Sequence, residues 1–196
     1  MDEEQRGLLA AVWASPADQL PRLVYADWLD EHCEEGQPGW PRTERGTSLA
    51  AEYIRLRPGT DLAAVAQDRE RLARLIAIEQ TVASSILDPL LLRQVFSPVA
   101  NSYTPDGKYK QAGGFGHAVT DLMPGYLDIG GNTSFWGKSL LLPRDEPAIT
   151  LSNFLRVHDL TIGTPPANGL PPFLHVEGNL RIRGTAFRRL PDDIRV

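Results

Sequence analysis

The feature that most constrains this chain is a spacing near its C-terminal end. Leu160 and Leu180 are twenty residues apart, as are Ile162 and Ile182, Leu170 and Leu190, Pro171 and Pro191, Leu174 and Ile194, and Val176 and Val196. Leu140 and Leu142 precede Leu160 and Ile162 by the same step. The unit reads Leu-x-Ile, a turn, Leu-Pro, then Leu/Ile-x-Val. Apolar residues two apart share one face of a strand. Each Leu-x-Ile pair is therefore expected to be a short strand with both side chains inward, and each Leu-Pro to mark an irregular return. One such unit cannot bury its own apolar face, whereas about three or more stacked units can. The period predicts a small β-rich solenoid over residues 139–196.

Upstream the pattern changes. Residues 1–96 are rich in Ala, Leu, Glu and Arg and follow a helical period, while most of the 17 glycines come later. Helices are expected over 3–14, stopped by Ser15-Pro16, and from about residue 20, with Asp18 as a cap and Pro21 in the first turn. Further helices are expected over 49–56, 61–85 and 86–95. In the second helix Leu20, Val24 and Trp28 share one line, and Tyr25, Leu29 and His32 the next. The fourth carries Leu62, Val65, Leu72, Leu75, Ile76, Ile78, Glu79 and Val82 on its inner face. Gly and Pro mark 36–48 as a loop. Between the halves, Val119, Leu122, Leu127 and Ile129 suggest strands, and 128–132 carries a turn signal. The expected fold class is α+β: a helical module (1–96), a connecting β/loop region (97–138) and the repeats (139–196).

Two stretches carry a resemblance. LLAAVWASPADQLPRLVYADWLDEH, followed by AAEYIRLR, resembles the bacterial repeat-companion domain over about residues 7–57. The string Pro-Arg-Leu-Val-Tyr-Ala-Asp-Trp-Leu (21–29) is its most specific part. Leu20 stands where that family often has a small hydroxyl residue, and the loop before the third helix is longer than usual. The twenty-residue units resemble short bacterial leucine-rich repeats. The resemblance implies a module that accompanies repeat domains in multi-part proteins, without enzymatic activity.

Candidate chemistry is sparse. Asp27, between Tyr25 and Trp28, fits a structural acceptor for Arg22 or Arg55 better than a catalytic carboxylate, since a carboxylate packed between helices needs a partner. His32 and Cys33 are adjacent on a helix and point about 100° apart, so they do not form a thiolate–imidazole pair. Gly113–Gly116 lacks the Lys-Ser/Thr of a phosphate loop. His32, His117, His158 and His175 show no metal-ligand spacing, and an enzymatic site near His117 or Asp128 would need a pocket that no motif announces. No catalytic residue, cofactor or metal is expected. A single cysteine excludes an internal disulfide and fits a reducing, cytoplasmic setting. The acidic start MDEEQRG is unlike a secretory signal, and no apolar run is long enough for a membrane span.

Charge is uneven. Residues 1–35 hold nine acids against Arg6 and Arg22, whereas 181–196 hold five arginines against Asp192 and Asp193. Arg181 and Arg183 flank Ile182 and would share the strand face opposite the core, forming a basic ridge. Its modest reading is solubility and edge protection. Its sharper reading is a binding surface. The expected function is therefore a non-catalytic protein–protein interaction protein, a scaffold or adaptor within a larger assembly. Its contact residues would be Trp40, Trp136, Arg181, Arg183, Arg188 and Arg189. Self-association of acidic end to basic end is a further expectation. The alternative is a nucleoprotein-complex subunit whose C-terminal arginines contact phosphates, although the net charge of −5 opposes general nucleic-acid binding.

Overall fold

Local capping and burial explain the helices of the N-terminal half in a computed structural model, which describes residues 1–32, 40–43, 46–57, 68–86, 119–129, 139–142, 150–157, 159–183 and 193–195. Helix α1 (Glu3–Ala14) begins where Asp2 accepts a hydrogen bond from the Gln5 N–H at 2.7 Å. Glu3 and Glu4 add negative charge where the helix dipole is positive. Helix α2 (Gln19–His32) starts at Asp18, whose carboxylate accepts from the Leu20 N–H at 3.0 Å. Helix α3 (Leu49–Leu56) is capped by Ser48, and helix α4 (Arg69–Ile86) by Asp68. The earlier start expected for α4 falls on residues 61–67, outside the described residues; of the helix expected over 86–95, Ile86 ends α4 and the rest lies outside the described residues.

The chain divides into two compact units, with these helices within Met1–Ile86 and the strands within Ala112–Val196. In the helical unit α1 buries Leu9 and Val12, and α2 buries Arg22, Tyr25, Ala26, Trp28 and Leu29. The Gln5 amide donates to the Tyr25 hydroxyl at 3.0 Å and fastens α1 to α2. The inner face of α2 is therefore turned from the one expected. Leu20 and Val24 point to solvent, because Arg22, Tyr25 and Leu29 occupy the side that meets α1 and α3. Arg55 of α3 reaches back to Asp27 at 2.7 Å and Asp30 at 2.6 Å, and Asp30 also accepts from the Ser48 N–H at 2.8 Å. Asp27 is thus the partner of Arg55. Deeper in, Arg57 meets Glu79 of α4 at 3.2 Å and the Tyr53 hydroxyl at 2.9 Å.

The strand-rich unit begins with a hairpin. Strand β1 (Val119–Met123) pairs antiparallel with β2 (Tyr126–Ile129) across Pro124-Gly125. Proline followed by a glycine at φ +78° is the chemistry of a type II turn. Asp128 and Ile129 lie inside β2, so the turn expected to begin there does not.

Six more strands follow: β3 (Ser139–Leu142), β4 (Phe154–Val157), β5 (Asp159–Ile162), β6 (Phe173–Val176), β7 (Leu180–Ile182) and β8 (Asp193–Arg195). They alternate between two sheets, β1-β2-β4-β6-β8 and β3-β5-β7, and every pairing after the hairpin is parallel. Leu140 pairs with Leu160 and Leu160 with Leu180, so one sheet advances by the twenty-residue step. In the other, Leu155 pairs with Leu174 and Leu174 with Ile194. Each unit thus holds two strands where the sequence suggested one, because Leu/Ile-x-Val also alternates and is long enough to pair.

The inward residues Leu127, Ile129, Leu155, Val157, Leu174 and Val176 of one sheet are buried, as are Leu140, Leu142, Leu160 and Ile162 of the other. Fully burying an aliphatic side chain stabilises by about 1.5–3 kcal/mol, so these rows are the main support of the unit. Tyr126, Phe154 and Phe173 stack as a column through register-matched positions, the last two with ring centroids 4.2 Å apart and planes 2° apart. Side chains also join successive turns. The Asn168 amide pairs with both backbone groups of Leu151, at 3.1 and 2.8 Å, and Asp159 accepts from the backbone and side chain of Asn179.

Candidate interaction surface

Strand β7 carries the surface that the sequence pointed to. The Arg183 N–H donates to the Ile162 carbonyl at 2.9 Å, and the Leu160 N–H donates to the Asn179 carbonyl at 2.9 Å. Backbone groups of β7 alternate in direction, so Asn179, Arg181 and Arg183 pair toward β5, and the N–H and C=O groups of Leu180 and Ile182 turn the other way. Among the described residues no strand pairs with that outer edge. Arg181 and Arg183 are exposed, and Ile182 is 38% exposed although its register partner Ile162 is fully buried. The edge thus combines open backbone groups, a half-covered aliphatic side chain and two guanidinium groups. An extended segment could add there with main-chain hydrogen bonds, its apolar side chains against Ile182 and its acids against the arginines.

The other contact residues fare differently. Trp40 belongs to the core: it is 2% exposed and packs against Tyr53 at 5.4 Å between ring centroids. The backbone carries it inward. Arg42 bridges Ser48 in antiparallel fashion, the Leu49 N–H donates to the Pro41 carbonyl, and Gly46 turns the chain at φ +78°. A tryptophan fastened so close to the α3 N-terminus is drawn under the helix. Trp136, Arg188 and Arg189 lie outside the described residues, as do Cys33, Gly113–Gly116, His117 and His158.

The sequence reading passed over a second group. Asp128, Arg156, His175 and Arg195 sit at matching positions on four neighbouring strands of the larger sheet, on the face opposite its apolar rows. Arg156 also lies 3.5 Å from Glu177. Burial pushes the His175 imidazole below its ordinary pKa, Arg156 adds to this, Glu177 opposes it, and Arg195 adds further. The signal lies in the sequence: these are the x positions of Leu127-x-Ile129 and of the Leu/Ile-x-Val units, which a period read from apolar residues alone does not mark.

Among the described residues, no group of three or more His, Cys, Asp or Glu is placed to hold a metal ion, and no helix is long and apolar enough to cross a membrane. In comparisons with known proteins, no family model matches the chain, and neither a curated protein nor a solved structure matches it.

Proposed function

We propose that this chain is a non-catalytic interaction protein, in which a helical module of the repeat-companion kind accompanies a short solenoid of twenty-residue turns. The solenoid presents the β7 edge to a partner protein, as a scaffold or adaptor of a larger assembly. The observation that carries this reading is the outer edge of β7, with its outward backbone groups and Ile182 between two exposed arginines. An exposed edge strand is a template for another strand, and a twenty-residue period carries the same pairing from turn to turn. The reading places the protein in a cytoplasmic setting, with no cofactor.

A second reading rests on the exposure of Arg181 and Arg183, on and just after β7: contact with nucleic-acid phosphates, as a subunit of a nucleoprotein complex. One experiment separates the two. The tagged chain and its Ile182→Lys variant are used to recover partners from native lysate, with and without nuclease, and the products are read by mass spectrometry. The interaction reading expects a stoichiometric protein that survives nuclease and is lost with Ile182→Lys. A partner lost on nuclease treatment, with affinity falling steeply in salt, favours the second reading. Recovery of the bare chain rejects both.

A further inference from the structure

A different surface, on α2, carries an inference of its own. The outward face of this helix is not the polar face of an ordinary surface helix. Leu20 is 67% exposed, Leu23 40% and Val24 45%, and the same face continues to the exposed Asp27 and Glu31. Positions 20, 23, 24, 27 and 31 follow the i, i+3, i+4, i+7 rhythm of one helical face. Six large hydrophobic side chains are exposed among the described residues, and three of them fall within the five-residue span 20–24. Scattered exposed apolar side chains need no explanation, but a contiguous group marks a contact surface.

The helix that carries the group is firmly held. Asp18 caps its start, Gln5 ties Tyr25 to α1, and Asp30 binds both Arg55 and the Ser48 N–H of α3. A contact face on so fixed an element loses little freedom on binding. Carboxylates outweigh cations here: the stripe runs from aliphatic residues to Asp27, which meets Arg55 at 2.7 Å from a largely exposed side chain, and on to the exposed Glu31, within a 35-residue segment holding nine acids against two arginines.

We infer that α2 docks an amphipathic helix of a partner protein, whose apolar ridge covers Leu20, Leu23 and Val24 and whose Lys or Arg residues lie against Glu31, beside the Asp27–Arg55 pair. Helix-on-helix packing suits a convex stripe of this width. From position 20 to position 31 the stripe runs about 16 Å, matching about three turns of the incoming helix. The carboxylates repel an anionic bilayer, so a basic protein segment is the occupant rather than a lipid surface.

A displayed library of helical peptides, selected on the full chain, tests this. The enriched sequences should carry apolar residues at i, i+3, i+4 and i+7 beside Lys or Arg. Fluorescence anisotropy should then show Leu20→Glu and Val24→Glu each raising the Kd by about tenfold or more, and Glu31→Lys weakening binding with a reduced salt dependence. Leu20 and Val24 are exposed, so circular dichroism of both variants should match the parent. Ile182→Lys, on the β7 edge, should leave the affinity unchanged, which separates this inference from the proposed function. It is overturned if nothing is enriched, if the enriched peptides are acidic or neutral, if Leu20→Glu and Val24→Glu bind as well as the parent, if Ile182→Lys abolishes binding, or if vesicles containing anionic lipid compete.

Discussion

The Arg57–Glu79 pair shows what a single contact must do in the helical unit. Arg57 is 1% exposed and Glu79 4%, so both charges have left water. Such a pair is retained only if each ion is compensated, and removing one partner leaves a buried uncompensated charge. Glu79→Ala should therefore lower stability by about 3–5 kcal/mol, read as a shift of the urea midpoint. The double substitution Arg57→Met, Glu79→Leu should recover most of that loss. The sequence placed Glu79 on the inner face of its helix, but Arg57 looked like part of a helix-breaking Arg-Pro-Gly-Thr run. A breaker signal describes the backbone and is silent on where a long side chain goes. His175 makes a second residue-scale prediction. Its folded pKa is lowered, so the folded state binds fewer protons than the unfolded one. Its stability contribution is complete above its ordinary value of about 6.5 and is lost as pH falls through the lowered folded value. The ring should titrate in NMR with a midpoint below that ordinary value, and His175→Gln should flatten the decline of melting temperature between about pH 7 and about pH 5.

Among elements, the join between α2 and α3 separates two carboxylates that look alike in the sequence. Asp30 accepts from a backbone N–H and from Arg55, whereas Asp27 touches the same guanidinium from a side chain that is largely in water. Burial works against the charge of Arg55, but its hydrogen bonds to Asp27 and Asp30 outweigh this and hold its pKa above the ordinary value. Asp30→Ala should cost about 1–2 kcal/mol, and Asp27→Ala at most about 0.5 kcal/mol, as for exposed ion pairs. Paired urea titrations of the two variants check the contrast. In the other unit, Gly125 takes a positive φ in the β1–β2 turn. Gly125→Ala should cost about 1–2 kcal/mol, the penalty of a left-handed conformation for a side chain. A lowered urea midpoint would show it, with the rest of the sheet intact, as judged by unchanged circular dichroism at room temperature.

At the scale of the whole molecule, two kinds of periodicity were legible and a third kind of information was not. The helical rhythm placed α1 and α3, and the twenty-residue step matched the pairing of Leu140, Leu160 and Leu180. The rotation of α2 and the burial of Trp40 were hidden, because both depend on which neighbours pack against a face rather than on the local pattern. The same holds for the candidate site. The exposure of Arg181 and Arg183 follows from strand alternation, while the outer edge of β7 follows only from which strands pair. That edge leads to a test of the molecule in one measurement. Strands β4, β5 and β6 each have a partner on both sides, whereas β7 and β8 have one among the described residues. Amides in doubly paired strands open only with their sheet, and those at an edge open locally. Hydrogen exchange should therefore be slowest across β4 and β5 and faster toward β7, with the Leu180 and Ile182 amides faster than that of Arg181 by about two orders of magnitude or more. Equal protection at all three would mean that the outer edge of β7 is already covered, and the docking of a partner strand there would have to be abandoned.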